Sequence, residues 1–389
     1  MKNKLDFAYA AGFAVILCSL SFLLFVLPKS SFSDLENRPL QGKPKLTWEA
    51  LRSKKFAEQT ELFISDHFPF RNSWIAVKSE SEQLRLQQEN NGIYRGRDGY
   101  LFEKFDKPDE AALSRYADAA AKLAFNHPEA NITFLLAPTS VGLYPEKLPW
   151  LAYSYPQQNV NRLIGQTAEK AGISFIDGFD FLRPAKVTEQ ADSSSRQLYY
   201  RTDHHWTTYG AYLAYQAYAE QMGWQPHAET DFSIRTVTDR FLGSFHTRSQ
   251  FAGLKAEGIQ VYEPAKPVVS EIRIEDDGSV MNGLYDESSL NKKDKYAYFL
   301  GGVHAVMTIH SKLAPGETDM KKLLVIKDSY AHSVLPFLTL HVPEIHVIDL
   351  RYYNGKISDY MAENEIGDVL LMFNTATFAS TRDMLKLGY

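Results

Sequence analysis

The chain has 389 residues, a formal net charge of -5, and is 44% hydrophobic and 23% charged. That is ordinary globular composition, enough for a sizeable core in one large domain or two ordinary ones. No long basic tract points to nucleic acid. The single cysteine, Cys18, excludes an internal disulfide. Aromatic residues make up 13% of the chain, many of them Tyr, and suit either a carbohydrate-facing surface or core filling.

Lys2 and Lys4 precede an uncharged run from Ala8 to Leu27, 20 residues long. That length spans a bilayer core as a helix, whereas the core of a cleaved signal is about 7–15 residues. Ser31-Phe32-Ser33 is a poor cleavage site, and no small residue directly precedes Cys18 as a lipoprotein signal requires. The expectation is an uncleaved single-pass anchor over 1–28. The flanking lysines put its start in the cytoplasm and everything after Pro28 outside. Lys29 to about Thr47, with Pro39 and Pro44, reads as a linker. Trp48 to about Gln88 has helical spacing broken at Phe68-Pro69-Phe70, so 29–90 forms a linker and helical lead-in.

From about Gly92 the pattern alternates between strand and helix, and 91–389 reads as one α/β domain. Pro108–His127 is Ala-rich and helical, with Asp109 and Glu110 in its first turn. Asn131–Ala137, Ile173–Ile176, Leu323–Ile326, Ile345–Ile348 and Val369–Phe373 are short apolar runs that read as buried strands. Thr207 is a candidate cap for a helix from Thr208 to about Met222. Strands separated by helices imply a mostly parallel sheet covered on both faces. Residues 231–316 lack helical period and read as a β-rich insertion.

Two islands carry candidate chemistry. Arg201-Thr202-Asp203-His204-His205-Trp206 lies just before a helix, in the kind of loop that carries catalytic groups. In Leu323–His332, a buried strand ends in Asp328-Ser329 and runs towards a helix. Such a turn can expose a Ser hydroxyl and aim backbone N–H groups at an attacked carbonyl oxygen. The blander use of Asp328 or Ser329 is as a helix cap. Together the islands supply a nucleophile, a base and an orienting carboxylate. In an extended segment Asp203 and His205 share a face and His204 points away, which favours His205 over His204 as the base. A competing use of Asp203 and His205 is metal ligation, with His304 or His246 as a third ligand. No HExxH or clustered-Cys pattern supports it, so the expected site holds neither metal nor cofactor.

The islands resemble the DHHW protein family, whose name matches Asp203–Trp206. The resemblance extends over DHFPFRN at Asp66–Asn72, YRGRDGYLF at Tyr94–Phe102, APTSVGLYPEKLP at Ala137–Pro149, FLGGVHA at Phe299–Ala305, and KDSYAHS with VIDLRYY within Lys327–Tyr353. That family is similar to the SGNH-hydrolase-like proteins of alginate and other exopolysaccharide O-acetylation, in which an Asp-x-His-Trp signature precedes the Ser. The resemblance implies an SGNH-like, flavodoxin-type three-layer α/β sandwich. It also implies O-acyl transfer or ester hydrolysis on a cell-surface polysaccharide, beside a membrane-bound O-acyltransferase that supplies the acyl group. Asp203 and His205 match Asp-x-His, Trp206 the Trp, and Ser329 the nucleophile. Gly302, Tyr330, Trp206 and Arg248 are candidates for oxyanion or substrate binding. Two departures stand out: Lys327 where many SGNH proteins have Gly, and Gly301-Gly302-Val303-His304 where a GGN-H pattern is expected. Loss of one oxyanion donor costs about 10²–10³ in rate. Those departures motivate an alternative reading as a non-catalytic module of an acylation or wall-assembly complex.

Overall fold

The computed structural model describes residues 2–30, 32–33, 38–85, 87–191, 196–313 and 320–389. Ser31 of the weak cleavage site and the last residues of the expected insertion, 314–316, lie outside them. The chain divides into two compact units, Met1–Gln87 with Gln250–Gly253, and Gln88–Ser249 with Leu254–Tyr389.

The first unit begins with a helix over Lys2–Val26. Its segment Asp6–Val26, 21 residues, is long and apolar enough to cross a membrane. Three helices follow, Trp48–Arg52, Lys55–Asp66 and Arg71–Leu84. Thr47 caps the first by accepting from the Ala50 N–H at 3.2 Å. The break expected at Phe68-Pro69-Phe70 falls between the second and third, where Phe70 has φ +58°.

The second unit is built on one eight-stranded sheet. Its strands are β1 (Asn131–Ala137), β2 (Ser174–Asp177), β3 (Val269–Ile274), β4 (Val280–Asn282), β5 (Val306–Lys312), β6 (Lys322–Lys327), β7 (Glu344–Ile348) and β8 (Asp368–Asn374). They lie in the order β4-β3-β5-β7-β6-β8-β1-β2. The five strands from β7 to β2 pair in parallel; β5, β3 and β4 continue the sheet antiparallel. Counted from β6 through β7, β8, β1 and β2, the parallel strands stand in the doubly wound order 2-1-3-4-5.

The inner parallel strands are largely apolar because both of their faces are buried, whereas the edge strand β2 is half-buried along its length. Leu323, Leu324, Val325 and Ile326 of β6 are all 0% exposed. Two groups of helices cover them. One joins α1 (Glu110–Asn126), α2 (Gln157–Lys170) and α5 (Thr375–Ser380); the other joins α3 (Gly178–Ala191), α4 (Thr208–Gln221) and the turn Leu335–Leu338. Asp109 caps α1 by accepting from the Ala111 N–H at 2.9 Å, and Thr207 caps α4 by accepting from the Gly210 N–H at 3.3 Å.

The region read as an insertion is β-rich but not separate from the sheet. Phe232–Phe241 and Glu257–Pro264 form an antiparallel pair of their own. From Val269 onwards the same region supplies β3, β4 and β5, which widen the main sheet. β3 alternates exposed and buried residues along its whole length, as an antiparallel strand with one wet face does. A helix over Ser244–Ser249 also lies in this region.

Candidate active site

The two islands meet at the carboxyl ends of the parallel strands, between β6 and β8, where the strand order reverses. In open α/β sheets ligands bind at this switch point. β6 ends at Lys327, and Asp328 opens a short 3₁₀ turn over Ser329–Ser333. The Asp328 carboxylate is buried and accepts from the Tyr330 N–H at 2.9 Å, the Asn374 N–H at 2.8 Å and the Asn374 side-chain amide at 2.7 Å. Asp328 therefore does act as a cap, and by doing so it ties the Ser329 turn to the end of β8. Ser329 remains partly exposed at the first position of that turn.

The second island is held by a short loop closed by an antiparallel bridge between Tyr199 and Trp206. The Arg201 and Thr202 N–H groups donate to the Glu257 carboxylate, which anchors the loop from the neighbouring hairpin. Residues 201–205 are a run of bends, not the extended segment expected. Asp203 and His205 nonetheless come together: Asp203 Oδ1 accepts from the His205 N–H at 3.0 Å and lies 2.6 Å from His205 Nδ1. His205 Nε2 is 2.7 Å from Ser329 Oγ. The result is one continuous chain of contacts from Asp203 through His205 to Ser329.

Asp203 is 3% exposed. Burial alone would raise its carboxyl, but the charges of His204 and His205 and the bonds from His205 and the Ser244 N–H outweigh it. They hold Asp203 far below the usual carboxylate range. The Ser244 N–H, 2.7 Å from Asp203 Oδ2, comes from the region read as an insertion. Its neighbour Gly243 lies flat against Asp203, where a Cβ would fall on the carboxylate itself. Gly243→Ala is therefore expected to displace Asp203 from His205, and a misplacement of about 1 Å lowers kcat for any reaction run through that contact about 10²-fold. Steady-state kinetics on the folded variant, with circular dichroism to verify the fold, checks this; unchanged kcat contradicts it.

The remaining candidates fall in different places. Trp206 is fully buried, and its indole N–H donates to the Tyr330 carbonyl at 3.0 Å and the Ser333 hydroxyl at 3.2 Å. It pins the histidine loop to the serine turn from within the core. Tyr330 is likewise buried, with its hydroxyl donating to the His204 carbonyl. Its backbone N–H is taken by Asp328, so neither Trp206 nor Tyr330 stands as an oxyanion donor. The Gly302 N–H donates to the Phe299 carbonyl at 3.2 Å in a turn that requires its φ of +96°, which removes it from that role too. Arg248 pairs with Glu103 at 2.7 Å on the surface.

The metal alternative fares no better. Asp203, His204 and His205 have donor atoms within 4.8 Å of one another, and among the described residues neither His304 nor His246 joins that group. Both nitrogens of His205 are already engaged, with Asp203 and with Ser329.

Lys327, the departure at the end of β6, is a structural residue. Its buried ammonium lies 3.3 Å from Asp349 Oδ2 and 2.8 Å from His332 Nε2. Burial pushes the Lys327 ammonium down, and Asp349 partly offsets this. Arg351 completes the group, with Nε and Nη2 donating to the Asp349 oxygens at 2.9 and 2.6 Å. Arg351 also lines a cleft of about 560 Å³ together with Phe105, Thr139, His204, Tyr330 and Asn374, next to the serine turn. A larger cleft of about 890 Å³, walled by Trp224, His227 and His341, lies at the opposite ends of the parallel strands, away from Ser329.

Known proteins resemble this chain on the same ground. Residues 188–348, which hold Asp203, His205 and Ser329, match the family model described as DHHW protein. A probable alginate O-acetylase AlgJ from Azotobacter vinelandii is 29% identical over 229 residues, 54% of this chain and 51% of the relative. The chain spans about half the length of the curated relatives it matches. Among solved structures, a DHHW family protein from Eubacterium siraeum superposes with a TM-score of 0.62 at 21% identity, covering 77% of this chain and 95% of the other. Bacillus cereus PatB1 with a sulfonyl adduct superposes at 0.60 and 19% identity, covering 76% and 100%. At those identities the likeness is one of fold. Residues 188–348 thus carry the pattern of the DHHW family, and the resemblance read from Asp203–Trp206 stands.

Proposed function

We propose that this chain is an extracytoplasmic O-acyl transferase, acetyl being the favoured group, that works on a cell-surface polysaccharide through Ser329, His205 and Asp203. The observation that carries the proposal is the contact chain from Asp203 to His205 to Ser329, with His205 Nε2 at 2.7 Å from the Ser329 hydroxyl. Similarity to the alginate O-acetylases supports the reaction class and a polysaccharide acceptor. The strand order supports an SGNH-like, flavodoxin-type three-layer fold. The apolar helix over Asp6–Val26 supports a membrane anchor within 1–28. The lead-in over 29–90, the outer domain from 91 and a membrane-bound O-acyltransferase as donor belong to the same proposal and rest on the sequence pattern and the family resemblance.

Ser329 Oγ attacks the acyl carbonyl while its proton passes to His205 Nε2. Asp203 holds the Nδ1–H of His205 and stabilises the imidazolium that forms. The Ser329 N–H, at the first position of its turn, serves in this mechanism as the donor to the developing oxyanion. Collapse breaks the bond to the donor's oxygen, which leaves with the proton from Nε2, and the acyl group stays on Ser329. A sugar hydroxyl then gives its proton to Nε2 and attacks the acyl-serine. The ester forms on the sugar, and Ser329 regains its proton from His205. Water in place of the sugar gives hydrolysis by the same steps.

The second reading, a non-catalytic module, drew on Val303 and Lys327. Lys327 is accounted for by its buried bonds to Asp349 and His332, so its presence does not weigh against catalysis.

The test uses the full-length protein in detergent, p-nitrophenyl acetate as donor and alginate oligosaccharides as acceptor. Acetylated oligosaccharides detected by mass spectrometry, and absent with Ser329→Ala, are the expected result. Acetate without acetylated oligosaccharide would make it an esterase. No p-nitrophenol release from folded protein would sink the enzymatic reading and favour the module.

A further inference from the structure

His205 is boxed in on both ring faces. The ring centroid of Tyr296 stands 3.6 Å from that of His205 at an interplanar angle of 9°, a full face-to-face stack. The ring centroid of His204 stands 3.7 Å away at 38°. Two rings this close cannot share one face of an imidazole, because each fills the full van der Waals thickness beside it. His205 therefore lies between them, and only its edges remain: Nδ1 towards Asp203 and Nε2 towards Ser329.

Both walls are themselves fixed. Tyr296 is 4% exposed, and its hydroxyl lies 3.0 Å from the Ser333 hydroxyl, in the same turn that begins with Ser329. The Trp206 indole N–H reaches that same Ser333 hydroxyl. One side of the box is thus tied to the turn that carries the candidate nucleophile. On the other side, His204 Nδ1 lies 2.6 Å from the Ser244 hydroxyl, whose own backbone N–H holds Asp203. Each wall registers His205 against one of its two partners.

Resting on the reading of His205 as the base, we infer that Tyr296 and His204 are positioning residues that clamp its imidazole edge-on between Asp203 and Ser329. The clamp gives the first histidine of the pair a use distinct from the second: it is a wall and not a base. It also draws the region around residue 296, outside both sequence islands, into the working site. A clamped imidazole exchanges protons along one edge only, so donor oxygen, acceptor hydroxyl and Ser329 must all meet Nε2 from the same side. Aromatic stacking fixes the ring at little entropic cost because the stacked partners have few rotamers to lose.

The test compares Tyr296→Leu, Tyr296→Phe and His204→Ala in the full-length protein by two readouts. One is steady-state hydrolysis of p-nitrophenyl acetate. The other is the rate of carbethoxylation of His205 by diethyl pyrocarbonate, mapped by peptide mass spectrometry, which needs no catalysis. Tyr296→Leu is expected to lower kcat on the order of 10-fold to 100-fold with KM little changed, and to speed modification of His205. Tyr296→Phe keeps the stacked ring, loses only the bond to Ser333, and should recover most of kcat. If Tyr296→Leu does not fold, His204→Ala, on the more exposed wall, carries the same expectation. A folded Tyr296→Leu or His204→Ala with parental kcat and parental His205 reactivity overturns the clamp. A parent protein without esterase turnover overturns the proposed function, and the reactivity of His205 then decides the clamp alone.

Discussion

Ser329→Ala is expected to reduce ester turnover by about 10⁴-fold or more, and His205→Ala by a similar factor. The reason is geometric. A serine hydroxyl is a weak nucleophile, and His205 Nε2 at 2.7 Å is the group that can take its proton. The double variant should be no slower than either single one, because the two residues act as one device and their losses do not add. Substrate affinity should change little, since neither side chain lines the adjoining cleft. Burst and steady-state kinetics with p-nitrophenyl acetate measure all three variants. Losses that multiply in the double variant would mean that Ser329 and His205 act independently, which the proposed mechanism forbids.

The second large effect concerns stability. Asp349→Ala is expected to cost about 3–5 kcal/mol, the usual consequence of removing one partner of a buried ion pair. Asp349 is 1% exposed and is the carboxylate that both Lys327 and Arg351 bind. Burial would raise its carboxyl, but the Arg351 bonds and the Lys327 charge hold it below its ordinary value. Without it, His332 is the hydrogen-bond partner left to the buried Lys327 ammonium among the described residues, with the Asp328 charge as partial compensation. His332 is itself held neutral: burial and the Lys327 charge push its imidazole well below its ordinary value. Lys327→Met should cost less, because Asp349 then keeps its two bonds to Arg351 and no cation is stranded. Denaturant midpoints at neutral pH rank the two variants. A Lys327→Met cost equal to or above that of Asp349→Ala would contradict this account.

The inner parallel strands were legible because each is a largely apolar run. Asn131–Ala137 is found with the bounds expected, the run at Ile173–Ile176 shifts by one residue to Ser174–Asp177, and the other three gain one or two residues. A strand buried on both faces announces itself locally. Its partner does not, and so Val269–Ile274 and Val306–Lys312 read as β structure without any sign that they extend the main sheet. The helix caps at Asp109 and Thr207 were legible for the same local reason, since a cap acts within three residues.

The three residues of the contact chain were legible as unusual islands, and their meeting is a fact of topology. His205 was preferred over His204 by strand alternation, yet 201–205 is bent, so the structure reaches the same pairing by another path. The bend is also what lays the His204 ring against His205. Tyr296 and Gly243 were invisible from sequence. Neither sits in a motif, and each matters only through a contact with a residue far along the chain, Tyr296 with His205 and Gly243 with Asp203. Gly302 failed as an oxyanion donor for a reason sequence does not carry: its N–H is already bonded to the Phe299 carbonyl.

The most direct measurement is peptide mapping by mass spectrometry of the full-length protein in detergent after treatment with a sulfonyl fluoride, which caps an activated serine irreversibly. The account predicts a single adduct on Ser329, absent in Ser329→Ala and formed far more slowly in His205→Ala. An adduct on another residue, or one that forms on Ser329 as fast in His205→Ala as in the parent, would contradict it.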